Sequence, residues 1–310
     1  MSVFAPIVAL QLQLAHGWET DQLSHRAEPL PDAGDAANAR VDVALDAAAA
    51  RASRVLGTRA PSARVHRVLA RAVWRELGHA QRVPGRGWLR GYGYGRYAAW
   101  LEGGAVPRED LLDRSDLFAG LTFAEAPVLA TVGTCSTVRL AGVRMGTDKP
   151  DHFFGTGWRY LRRAGTEEPA RAVRWGTAME RTWLGWLTSS AFSRADLHAN
   201  WQGWRFYATL LDPETGPFRA AAGEVERVRG FAWHAWVDPR WDELVYPSIY
   251  RPRVLDHLAA RLHAERDRYC AAAGDLAGAR AALGDGPEPW IEGRHPPLVD
   301  PFATLLDCGR

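Results

Sequence analysis

Asp148 and His152 are four residues apart, as are Asp196 and Asn200, and both pairs sit in runs rich in Trp, Phe and Leu. Residues four apart share one face of a helix, so each pair predicts a helix that turns two polar groups the same way. Between them, Glu180 stands among Trp175, Met179, Trp183, Leu184 and Leu187, whose spacing of three or four marks a third helix with a mostly apolar face. A carboxylate on or beside such a face is costly unless it is paired or put to use. Antiparallel packing through short connections would set the first turn of the first helix beside the second half of the second and the first turn of the third. His152, Glu180 and Asp196 are therefore expected to meet at one end of a helical bundle, within a core motif spanning 148–210.

Composition points to the same place. Among 38 Lys and Arg residues, Lys149 is the single lysine, and it lies beside Asp148 and three residues before His152. A compact ammonium with three rotatable donors does not do the work of a guanidinium fork, so in a chain biased towards Arg the single Lys149 is either a chance survivor or a position where that geometry is needed. Asparagine is almost as scarce, at Asn38 and Asn200 only, and one of the two belongs to this constellation.

With 310 residues, 47% of them hydrophobic and 24% charged, the chain can bury a sizeable core. The expected fold is mainly α, a helical bundle core with small β-hairpin additions, forming one domain over 16–310. Residues 1–15 carry an apolar run from Val3 to Leu10 and read as a signal-peptide remnant, with a buried amphipathic first helix as the alternative. Export to the periplasm or envelope follows from the first reading, a cytoplasmic location from the second. Asp32 opens an Ala-rich helix with Val41, Leu45, Ala48 and Val55 inward, and a second helix follows Pro61, with Val65, Leu69, Val73 and Leu77 on one side. Residues 85–100, with glycines alternating with aromatics and arginines, read as a surface loop because the G-K-S/T ending of a phosphate loop is missing. Strand-like text on either side of Ala141-Gly142 predicts a hairpin leading into the motif. Downstream, 224–238 reads as one or two strands, 241–252 as a Pro- and Tyr-rich loop, and 251–272 as an amphipathic helix.

A net charge of +2 with no uninterrupted basic run gives no case for a nucleic-acid partner. Cys135, Cys270 and Cys308 make no metal-binding spacing. In an oxidising compartment Cys270 and Cys308 could pair, which would leave Cys135 buried and odd. The hydrolase signatures G-x-S-x-G and H-E-x-x-H are absent.

The order Asp148, Lys149, His152, Phe153, then Glu180, then Ser193, Asp196, Leu197, Ala199, Asn200, Gly203 resembles a pattern shared by VanZ-like membrane proteins and YfiM-type lipoproteins. The wider text, including H-G-W-E-T-D-Q and D-A-A-N-A-R-V, is similar to a group of exported bacterial proteins of about this length. The resemblance implies a helical core at or near the cell envelope and carries no catalytic activity with it. One departure is that VanZ-like helices span membranes, whereas these carry Arg159, Arg162, Arg163, Arg171, Arg174 and Arg181, which argues against a bilayer location.

Two functional readings follow. In the first, the constellation of His152, Glu180, Asp196, Asp148, Lys149 and Asn200 is a structural network in an envelope-associated protein whose Trp-rich surface binds a membrane-surface lipid or an envelope protein. The alternative is a metal-assisted or acid-base hydrolase of an envelope lipid or glycan. There His152, Glu180 and Asp196 would be the catalytic groups and the ligands of a divalent metal, with Asp148, Lys149 and Asn200 binding. Each residue also has a plain structural role open to it: Ser193 and Asp196 form a capping-box pattern, and Thr147 or Asp148 could cap a helix. An enzyme needs an open cleft; a structural network should be closed to solvent.

Overall fold

A computed structural model describes residues 26, 28–80, 95–109, 117–126, 135–182, 185–186, 190–284 and 299–308. The fold is mainly α with small antiparallel sheets. Residues 1–15, most of 85–100, and Trp183, Leu184 and Leu187 lie outside the described residues.

Helix α1 (Gly34–Ser53) buries Val41, Leu45 and Ala48 on one stripe, as their spacing requires, and packs on α2 (Ser62–Leu77). Val55 departs from expectation: it follows the helix end and is 57% exposed. The expected loop at 85–100 is corrected at its end, where Arg96–Glu102 forms helix α3 and buries Tyr97 and Leu101. The Tyr97 hydroxyl accepts from the Trp233 indole at 2.9 Å, which gives a buried aromatic its polar partner.

Strands β1 (Thr137–Leu140) and β2 (Val143–Gly146) pair antiparallel across Ala141-Gly142, whose φ values of 51° and 83° are the positive pair that a two-residue hairpin needs. The hairpin feeds α4 (Asp148–Asp151), a π-helical turn (His152–Thr156) and α5 (Gly157–Ala164) without a break. Then come α6 (Pro169–Glu180), a short strand β3 (Ala191–Phe192), and α7 (Arg194–Ala208).

Helix α7 is the most enclosed element of the motif and packs against α5, the π turn and α6. Glycines set that approach: a Cβ on Gly203 would lie 2.0 Å from the Phe153 carbonyl oxygen, and one on Gly157 would lie 2.6 Å from Gly203. Phe153, Phe154, Phe206, Trp233 and Trp241 then fill the adjoining core in edge-on and tilted contacts.

Strands β4 (Phe218–Ala221) and β5 (Glu224–Arg227) form one hairpin, so the strand expected within 224–238 is present at its start, whereas 233–235 is a 3₁₀ turn, as is 239–241 beyond it. The expected loop at 241–252 is buried from Trp241 to Tyr250, with Ile249–Tyr250 (β6) paired to β3. The long helix expected over 251–272 is two, α8 (Pro252–Ala264) and α9 (Arg266–Ala273), broken at Glu265. With α10 (Leu276–Ala281) they cover a second apolar cluster that includes Leu244, Val254, Leu258, Tyr269, Phe302 and Leu305. A disulfide between Cys270 and Cys308, with Cα atoms 5.3 Å apart, ties the last described segment to α9.

Candidate functional site

The hairpin base fixes where the motif begins. Glu102 at the end of α3 accepts from the Ser136 hydroxyl at 2.8 Å and from the Thr147 hydroxyl, so Thr147 is spent on Glu102 and does not cap α4. Asp148 does not cap it either. Its carboxylate accepts from the Cys135 thiol at 3.2 Å and from Lys149 at 2.8 Å.

Lys149 has no exposed surface. Its Nζ lies 2.8 Å from Asp148 Oδ2, 2.9 Å from Asp196 Oδ1 and 3.1 Å from Glu243 Oε1. The three carboxylates come from α4, α7 and the turn after residue 241, so one ammonium joins three segments. Burial alone would raise the Asp148 carboxyl; the Lys149 charge, His152 and the hydrogen bonds from Lys149 and Cys135 outweigh it and hold that carboxyl below its ordinary range.

Asp196 occupies the first turn of α7, where the Ser193 hydroxyl accepts its backbone N–H at 3.1 Å. Only that half of the capping box forms. The Ser193 hydroxyl proton goes to Glu243 Oε1 at 2.9 Å, and the Asp196 carboxylate faces Lys149 and His152 instead. Both Asp196 oxygens are buried, and among the described residues neither accepts a hydrogen bond of proper alignment despite the closeness of the Lys149 and His152 nitrogens.

His152 stands between Asp196 Oδ2, 3.3 Å from Nε2, and Asn200 Oδ1, 3.0 Å from Nδ1. Two acceptors are satisfied by an imidazolium, or by a neutral ring with the Asn200 amide reversed. In both, Nε2 carries a proton on the Asp196 side, 3.3 Å from Oδ2 but off the hydrogen-bonding direction. Asn200 extends the chain to the Tyr160 hydroxyl at 3.5 Å. Burial raises the Tyr160 phenol, and the charges of Glu180 and Asp196 add to the rise against the Asn200 bond, so the hydroxyl keeps its proton.

Glu180 is buried at the end of α6, one turn beyond Gly176, which lies under the Tyr160 hydroxyl. Its charge acts on the Tyr160 hydroxyl, which in turn bonds Asn200. It does not belong to the group whose ligand atoms lie close enough to share a cation, which among the described residues is Asp148, His152 and Asp196, all within 4.8 Å of one another. Asp151, on the same short helix, accepts from the Gly95 N–H at 2.8 Å. Burial pushes its carboxyl up to about 6, against the pull of His152, Gly95 and Arg159.

Glu243 was not among the residues singled out by sequence, and Cys135 was named only as the odd, buried cysteine outside the disulfide, which it is. Glu243 sits in W-D-E-L-V-Y-P-S-I-Y, where an acidic dipeptide in an otherwise apolar run is the only signal. His198, also on α7, is a second buried histidine, bound through Nε2 to Asp238 at 2.9 Å. A groove of about 410 Å³ between Leu56, Val65, Leu211 and the β4–β5 hairpin shares no residue with the constellation. Compared with known protein families, curated proteins and solved structures, the chain matches none.

Proposed function

We propose that the Lys149-centred network is the internal lock of an envelope-associated protein with a helical bundle core, and that binding to a lipid surface or an envelope partner takes place on its outer face. The observation that carries this reading is Lys149 itself, wholly buried and touching Asp148, Asp196 and Glu243 from three separate segments. Lys149, Asp196, Asn200 and Glu243 are all at or below 2% exposure, so a lipid headgroup or glycan has no described route to them. Such networks specify one packing arrangement because every alternative strands a charge.

Three further features support the location. The Cys270–Cys308 disulfide suits an oxidising compartment. Arg159, Arg162, Arg163, Arg171 and Arg174 face outward, and among the described residues no helix is long and apolar enough to cross a membrane. Guanidinium groups lie over indole rings at Arg163–Trp175 and Arg251–Trp186, a pairing suited to anionic interfaces. The resemblance of the motif to VanZ-like and YfiM-type proteins is in keeping with the same setting.

The hydrolase reading draws on the cation-sized grouping of Asp148, His152 and Asp196. Their ligand types suit a divalent metal, but the charges do not: the Lys149 ammonium is within 2.9 Å of two of the three. Elemental analysis beside the melting temperatures of Lys149→Met, His152→Ala and Glu180→Ala separates the readings. The lock predicts loss of stability without metal, whereas stoichiometric metal lost from folded His152→Ala would overturn it.

A further inference from the structure

We infer that Lys149 and Asp196 are placed to form an intramolecular amide bond, an isopeptide cross-link from α4 to the first turn of α7, without any added reagent. The inference rests on the lock reading and makes that lock covalent. Its starting point is a primary amine 2.9 Å from a carboxyl oxygen, with zero exposure on both side chains.

The three carboxylates around Nζ are not equivalent. Asp148 accepts hydrogen bonds from Lys149 and Cys135, and Glu243 from Lys149 and Ser193, so donors stabilise both as anions. Asp196 accepts none of proper alignment: Nζ is close to Oδ1 but off the hydrogen-bonding direction. Asp148 is also the chain neighbour of Lys149, where a link would join nothing distant. Asp196 is therefore the electrophile and Glu243 the proton carrier.

The reacting form is the amine–acid pair reached by one proton transfer from the Lys149 ammonium to Asp196; exclusion of water favours that neutral pair, while the Asp148 and Glu243 anions oppose it and keep it the minor form. From the amine–acid pair the Nζ lone pair forms a bond to Asp196 Cγ. His152 Nε2–H, 3.3 Å from Oδ2, faces the oxygen on which negative charge develops. One N–H proton passes through Glu243 to the departing hydroxyl, the C–O bond breaks, and one water leaves. No oxidant, nucleotide or cofactor is consumed. Trp241, two positions before Glu243, is fully buried, and its ring packs on Phe153 and Trp233. An apolar enclosure of this kind keeps out the water that would hydrolyse the product.

Because Lys149 is the only lysine, the test is unusually clean. The purified full chain is unfolded in urea and treated with an amine-acylating reagent, and its tryptic digest is analysed by mass. A formed link leaves no ε-amine to acylate, and peptides 145–159 and 195–205 appear joined and one water lighter than their sum. Asp196→Ala and Glu243→Gln should each release both peptides and restore full acylation of Lys149. Complete acylation of Lys149 in the wild-type chain, with the two peptides separate, overturns the cross-link whatever the variants do. The lock reading is judged separately: if Lys149 is fully acylated yet Lys149→Met melts far lower, the ionic lock survives alone, and if Lys149→Met melts as wild type, both fall.

Discussion

The Lys149 ammonium donates to Glu243 Oε1 at 3.1 Å across 94 positions of chain. That bond brings the turn after Trp241 onto the helical motif, and it sets the energetics of the whole constellation. Removing the ammonium leaves Asp148, Asp196 and Glu243 buried together without the cation they share. Lys149→Met should therefore cost about 3–5 kcal/mol, the range for breaking a buried ion pair from one side. The loss should be largest at neutral pH. The stranded carboxylates then bind protons more tightly in the folded chain than in the unfolded one, so stability of the variant falls as pH rises. Urea denaturation of both proteins at several pH values checks this, and a gap that does not narrow towards acid would count against it.

The helix-spaced pairs were legible because the signal is local. Asp148 with His152 and Asp196 with Asn200 needed only the 3.6-residue period, and the hairpin before them needed only Ala141-Gly142 between strand-like runs. Glu243 was not legible, because it comes from a buried irregular segment with no period, and nothing local connects it to Lys149. The same limit explains 241–252, read as a loop on its Pro and Tyr content. Burial there depends on β6 pairing with β3 and on the second apolar cluster, both long-range facts. Asp196 shows the opposite error: the local capping-box pattern is present, but the carboxylate is claimed by Lys149 and His152, a tertiary contact that overrides it.

Asp151 offers a pH test with a defined sign. Its carboxyl is raised to about 6 in the folded protein, above its ordinary value, so the fold holds this proton over a range where the unfolded chain has released it. Stability from this group is full at acid pH and is lost as pH rises through about 4 to 6, amounting to about 2–3 kcal/mol. Asp151→Asn keeps an oxygen for the Gly95 N–H and removes the half-buried charge. The variant should melt higher than wild type at pH 7, and the two should converge towards pH 4.

Gly203→Ala tests the helix crossing that sets His152 beside Asn200. The new methyl would meet the Phe153 carbonyl oxygen at 2.0 Å, and backbone cannot rotate aside as a side chain can. Helix α7 must move off the π turn, at a cost of about 1–3 kcal/mol for overpacking. Near-ultraviolet circular dichroism should change with it, because Phe153 packs on Phe206 and Trp233. An unchanged melting temperature and spectrum would mean that the approach is looser than described.

The disulfide and the Lys149 lock sit in different parts of the core, so their effects should separate. Cys270–Cys308 encloses a separation of 38 residues and fastens the 303–307 turn to α9, beside Tyr269 and Leu305 of the second apolar cluster. Reduction, or Cys270→Ser with Cys308→Ser, should cost up to about 3–4 kcal/mol by the loop-closure argument. Hydrogen exchange should report faster opening in 254–276 and 299–308, while amides of α7 around Asp196 and Asn200 keep their protection. Loss of protection spreading equally into α7 would show instead that the two clusters unfold as one unit, and that the lock depends on the C-terminal layer for its shielding from water.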